Sequence, residues 1–163
     1  MINKKSISIL SLCVVLAYLL IGSSNLKIQN YDYDVTIYRD NWGVPHIYGK
    51  KDTDTAFGLA YAHSEDDFET LQDVLLALRG KLASVIGRES APVDYLVGML
   101  RVWETEDKRY HSDLSQEVKD LCSAYADGVN LYMEKHPHEI VGDLYPVTGK
   151  DIVAGFVFRV PLM

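Results

Sequence analysis

A chain of 163 residues with 48% hydrophobic and 24% charged side chains can bury one sizeable core, which excludes a globally disordered polymer. Its formal charge of −7 excludes nucleic acid as the main partner, because gripping phosphates requires a basic face.

The first residues differ from the rest. "MINKK" is basic, residues 6–22 form an almost uninterrupted apolar run, and small residues follow. This is the layout of a secretory signal, and the run is short for a membrane span. Gly22 and Ser24 satisfy the small-x-small rule, so residues 1–24 read as a signal peptide and 25–163 as the exported domain. The destination expected is the periplasm or the extracellular space, with no membrane span left after signal removal; the alternative is an uncleaved anchor. Cys13 leaves with the signal. Cys122 then lacks a partner in the chain and reads as a buried, inert thiol on a helix face.

"YDVTIY", Tyr33 to Tyr38, alternates as a strand does, and "DNWG", Asp40 to Gly43, is turn chemistry with glycine where positive φ is needed. "VPHIYG" forms a second strand that starts at Pro45 or lies at an edge, since proline cannot donate to a ladder. His46 shares a strand face with Val44 and Tyr48, which predicts a packed, hydrogen-bonded histidine in preference to a catalytic base.

A helix capped by Asp52 or Thr53 is predicted to run through Leu78. Ala56, Ala60 and Ser64 make a small-residue stripe that invites close approach by another backbone. Phe68, Leu71, Leu75 and Leu78 continue an apolar stripe. His63 and Asp67, four apart, could share a metal or simply form an ion-paired face. "RGKLASVIGRES" predicts a short helix and a loop.

Asp113 and Gln116 have capping-box spacing ahead of a helix with apolar positions Leu114, Val118, Leu121, Cys122, Tyr125, Val129 and Tyr132. Pro137 ends it, leaving His136 and His138 in a loop. Thr148 and Asp151 cap a last helix, "DIVAGFVFRVPLM", that is apolar on nearly every side. Its burial needs something further, so the chain reads as truncated within an unfinished core. The fold class predicted is α+β, mainly helical with an N-terminal β-hairpin.

No G-x-S-x-G elbow, H-E-x-x-H helix or glycine-rich phosphate loop is present. The order of motifs is more informative. Val35 to Asp67 carries Gly43-Val44-Pro45-His46-Ile47, the acidic helix start Asp52 to Asp54, Gly58-Leu59-Ala60-Tyr61-Ala62 and the acidic pair Glu65-Asp66. This run resembles the start of the α subunit of the penicillin acylase family, which includes penicillin, cephalosporin and acyl-homoserine-lactone acylases. Leu78 to Gly87 resembles the R-G stretch that follows in the lactone-acylase branch, a hint of long acyl chains. The resemblance is strongest over residues 33–88 and weaker over 110–160.

The resemblance implies a secreted precursor (a zymogen) that cuts itself into α and β subunits within a four-layer αββα fold. The new N-terminal serine of the β subunit then attacks a substrate amide. Its α-amino group, with a pKa of about 7.7–8.0, serves as the base. That serine would lie outside this chain, so no residue here is carried over as catalytic. The partner implied is the β subunit of the same precursor, and the substrate an N-acyl amide such as a β-lactam antibiotic or an acyl-homoserine lactone. The family's last α-subunit helix contributes to the acyl pocket, which implies substrate-binding roles for Phe156, Val160 and Met163; the alternative is that they pack in the core. No cofactor is required, no metal residues are assigned, and structural calcium stays open for the complete heterodimer. "GVPHIYG" reads as an edge hairpin that extends the complete enzyme's sheet. The competing reading is an inactive truncated relic or a helical interaction module.

Overall fold

The computed structural model describes residues 30–163; the signal-peptide reading of residues 1–24, with Cys13, falls outside them. β1 (Val35–Arg39) and β2 (Pro45–Gly49) pair antiparallel, with Ile37 opposite Ile47 and Tyr38 opposite His46. Asp40 builds the turn between them: its Oδ1 accepts from the backbone N–H groups of Trp42 at 2.8 Å and Val44 at 3.0 Å. Gly43 takes φ +82°, and β2 begins at the proline.

The hairpin's inner face is Val35, Ile37 and Ile47, with Val35 and Ile47 lying over Gly58 of the first helix. That choice turns Val44, His46 and Tyr48 outward. The expectation of a packed His46 is therefore corrected: its side chain is about half exposed, 3.4 Å from the Asp40 carboxylate. Ahead of β1, the chain is pinned to a later helix. Tyr31 and Tyr33 donate their hydroxyls to Glu134 at 2.9 Å and Asp127 at 2.8 Å, and the Tyr33 ring stacks on Phe57.

α1 (Asp52–Leu78) is capped one residue earlier than expected, at Lys51, whose N–H donates to the Asp54 carboxylate at 3.0 Å. It leaves helical geometry at Asp67, whose Oδ1 accepts from Thr70 N at 3.2 Å and so caps the second half. Single 3₁₀ turns at Leu82–Ser84 and Arg88–Ser90 lead to α2 (Ala91–Met99) and α3 (Val102–Asp113). α4 (Gln116–Lys135) and α5 (Gly149–Arg159) follow, and Val160–Leu162 extends α5 as a 3₁₀ turn.

The expected cap at Asp113 is also corrected. Asp113 ends α3 and pairs with Arg109 at 2.8 Å, while Ser115 caps α4 by accepting from Val118 N at 3.3 Å. α1 and α4 form the main helix pair, so the small-residue stripe is covered within this chain. Phe68, Leu71, Leu75 and Leu76 of α1 meet Ala126, Val129 and Met133 of α4, with Leu144 and Val147 closing the end. A second cluster, Val97, Val102 and Ala154, joins α2, α3 and α5. Cys122 is buried, and burial pushes its thiol up. The whole is α+β, as predicted. Among the described residues no helix is long and apolar enough to cross a membrane.

Candidate functional site: the last helix and its anchors

α5 begins with the predicted capping box. Thr148 N and Oγ1 each donate to Asp151 Oδ2 at 2.8 Å. Arg79, just past the end of α1, completes the arrangement. Its Nε donates to Asp151 Oδ1 at 2.7 Å and one terminal nitrogen to Oδ2 at 3.0 Å. The remaining donors reach the carbonyls of Asp143 at 3.0 Å, Leu144 at 2.7 Å and Pro146 at 2.7 Å. All five guanidinium N–H groups are thereby used. Asp151 is 2% exposed. Burial by itself raises its carboxyl pKa, but the Arg79 and Thr148 donors outweigh it and hold the group below the ordinary carboxylate range.

Two further ties fix the helix. The buried Asn130 amide of α4 donates to Val147 O at 2.8 Å and accepts from Val147 N at 2.7 Å. Lys150 donates to Glu106 at 3.2 Å and Asp107 at 2.6 Å on α3. Trp103 donates to Leu78 O at 2.7 Å and so satisfies one open carbonyl at the end of α1.

Held this way, α5 buries Val153 and Ala154 and leaves its far end open. Phe156, Val160 and Met163 are 66%, 70% and 93% exposed. Four and three positions apart, they put an apolar stripe on the last turns. Among the described residues α1, α3 and α4 pack against other positions of α5 and leave these three side chains largely uncovered.

The penicillin amidase family model matches residues 34–154. The chain belongs to the penicillin amidase family. It is 32% identical over 111 residues to the penicillin acylase 2 proenzyme of Pseudomonas sp. strain SE83, covering 68% of this chain and 14% of that protein. The acyl-homoserine lactone acylase QuiP of Pseudomonas fluorescens is 29% identical over 111 residues, again 68% and 14%. The penicillin G acylase of Escherichia coli is 24% identical over 123 residues, covering 76% of this chain and 14% of that one. The chain thus spans about one seventh of these relatives' length. The fold matches the thermostable penicillin G acylase of Alcaligenes faecalis with a TM-score of 0.65 at 24% identity, over 80% of this chain and 73% of that one.

In this penicillin amidase family member the matched segment contains Arg79, Asn130, Lys150 and Asp151 and stops just short of Phe156. The sequence had marked other polar residues, and the structure keeps those apart. His63 Nδ1 lies 2.7 Å from the Tyr125 hydroxyl, while Asp67 faces Thr70. His136 stacks on Tyr132 at 4.1 Å and His138 is exposed beside Glu139. A structural calcium would need an oxygen cage. Among the described residues no group of three or more His, Cys, Asp or Glu side chains gathers to form one. Sequence reading missed Arg79, Asn130 and Glu106. Arg79 alone carried a signal, as the arginine of the R-G stretch, but nothing there pointed to Asp151.

Proposed function

We propose that this chain is the N-terminal, α-subunit portion of an exported N-acyl amide hydrolase, with Phe156, Val160 and Met163 lining the acyl pocket. The observation that carries the reading is the exposed apolar stripe on a rigidly anchored helix, adjoining a segment that belongs to the penicillin amidase family. Hydrocarbon laid on such a stripe leaves water, a gain of roughly 25 cal/mol per Å² of apolar surface covered. The stripe offers no hydrogen bonds, so it selects for acyl bulk and leaves the chemistry to other groups. The β subunit would bring the serine and its α-amino base, and no cofactor is needed. The apolar run of residues 6–22, behind "MINKK", supports export.

A chimaera tests this. Residues 34–163 replace the matching segment of the penicillin acylase 2 proenzyme, and hydrolysis of phenylacetyl, long-chain acyl and acetyl amides is followed. The chimaera is expected to hydrolyse the bulky amides. Phe156→Ala is expected to lower kcat/KM for them by about 10- to 100-fold while leaving the acetyl amide nearly unchanged. Equal losses on all three substrates would remove the stripe from the pocket. A folded but inactive chimaera would favour the helical interaction module.

A further inference from the structure

Away from the stripe, on a neighbouring face of α5, lies a cleft of about 170 Å³ between α3 and α5. Its walls are Tyr110, Leu114, Val153 and Val157, and Arg109 and Asp113 pair with each other at its rim. Glu106 also lines it, and Glu106 is anomalous. The residue is 1% exposed, Oε2 accepts from Lys150 at 3.2 Å, and Oε1 is buried with no hydrogen-bond partner. The neighbouring Asp107 carboxylate is an acceptor as well and leaves an ionised Oε1 unsatisfied. Buried carboxylate oxygens are rarely left in this state, since each has given up water for nothing.

We propose that this cleft is a binding site for a small organic cation, a primary ammonium on an apolar body, whose N–H donates to Glu106 Oε1. Charge selects the sign of the ligand. With Glu106 ionised, the carboxylates of Glu106, Asp107 and Asp113 pair with Lys150 and Arg109 and leave one negative charge over. Burial beside Asp107 accordingly raises the Glu106 carboxyl pKa. An anion is repelled and a monocation brings the cluster to neutrality. Size selects the body: the volume admits a single ring or a short chain and is far too small for a long acyl group. The walls select hydrocarbon, because Leu114, Val153 and Val157 offer no hydrogen bonds.

Glu106 has no contact with solvent in the free chain, so entry requires the rim to move. Arg109 and Asp113 suit that role, with side chains 67% and 46% exposed on one turn of α3. Phe156 and Val160 do not line the cleft. Occupancy of the cleft is therefore tested without any turnover.

The experiment titrates the full chain with benzylamine and follows the methyl signals of Leu114, Val153 and Val157 by NMR, with benzoate as the anionic control. Benzylamine is expected to give saturable shifts confined to these methyls, and benzoate none. Glu106→Gln removes the charge and is expected to weaken benzylamine by at least about tenfold, the scale of one charge-assisted hydrogen bond. Val157→Phe fills the cleft, leaves Glu106 in place and is expected to abolish the shifts. It decides the matter if Glu106→Gln does not fold. Absence of saturable shifts, or unchanged affinity in Val157→Phe, overturns the proposal. Oε1 would then be satisfied by water or by a proton shared with Asp107.

Discussion

Arg79→Ala is expected to lower the stability of the chain by about 3–5 kcal/mol, the range for removing one partner of a buried ion pair. The large value follows from what remains behind. Asp151 is 2% exposed and keeps only its Thr148 donors, and three carbonyls between Asp143 and Pro146 lose their partner at once. Arg79→Lys is expected to recover less than half of the loss, because a single ammonium cannot span five acceptors arranged for a planar fork. The pH dependence gives a second check. In the native chain the Asp151 carboxyl is held below its ordinary value, so the unfolded state binds the proton more readily. Its contribution is complete above about pH 4, the ordinary carboxyl pKa, and is lost as pH falls through the depressed folded value. In Arg79→Ala burial is opposed by the Thr148 donors alone, so the carboxyl sits higher than in the native chain. The stability gap between the two proteins should therefore narrow in acid. Urea unfolding at pH 7 and pH 3.5 measures it; a gap that stays constant would place the main effect of Arg79 on the three carbonyls. Hydrogen exchange of the α5 amides should rise in the variant before that of α1, since Arg79 anchors the start of α5.

That anchoring explains why part of the molecule could be read from its residues and part could not. Elements announced by local chemistry are where expected. Asp40 and Gly43 build the turn, Pro45 opens β2, Pro137 lies beyond the end of α4, and Thr148 with Asp151 caps α5. α3 escaped notice because "VWETEDKRYHSD" buries only Val102 and Glu106, too few positions to show a helical stripe. The cap of α4 was misplaced for a related reason: Asp113 and Ser115 both have the chemistry, and only the presence of α3 decides between them. His46 shows a different limit. Alternation reveals that a strand has two faces, but the packing of Val35 and Ile47 on α1 decides which one turns inward. Arg79 and Asp151 stand 72 positions apart, and no spacing rule connects them. The exposed stripe was half legible. An all-round apolar helix demands cover, yet its sequence does not say which face α3 and α4 take.

Gly128→Ala is expected to destabilise the chain by about 1–3 kcal/mol, although alanine is the better helix former by about 1 kcal/mol. The sign is set by the contact between α1 and α4. A Cβ at Gly128 would lie 2.3 Å from the Phe57 carbonyl oxygen and 2.8 Å from Ala60 Cβ. The nearer atom is backbone, so no side-chain rotation relieves the clash and the helices have to separate. Separation propagates, because Phe57 carries the Tyr33 ring and Asp127, next to Gly128, accepts the Tyr33 hydroxyl at 2.8 Å. The near-ultraviolet circular dichroism of the tyrosines should therefore change along with the urea midpoint. Gly98 supplies the control. It lies within α2 with nothing within 4 Å of an added Cβ, so Gly98→Ala is expected to stabilise by about 0.4–1 kcal/mol. Opposite signs for the same substitution in two helices would locate the effect in the α1–α4 contact. A neutral or stabilising Gly128→Ala would mean that the two helices stand further apart than the small residues on their facing sides imply.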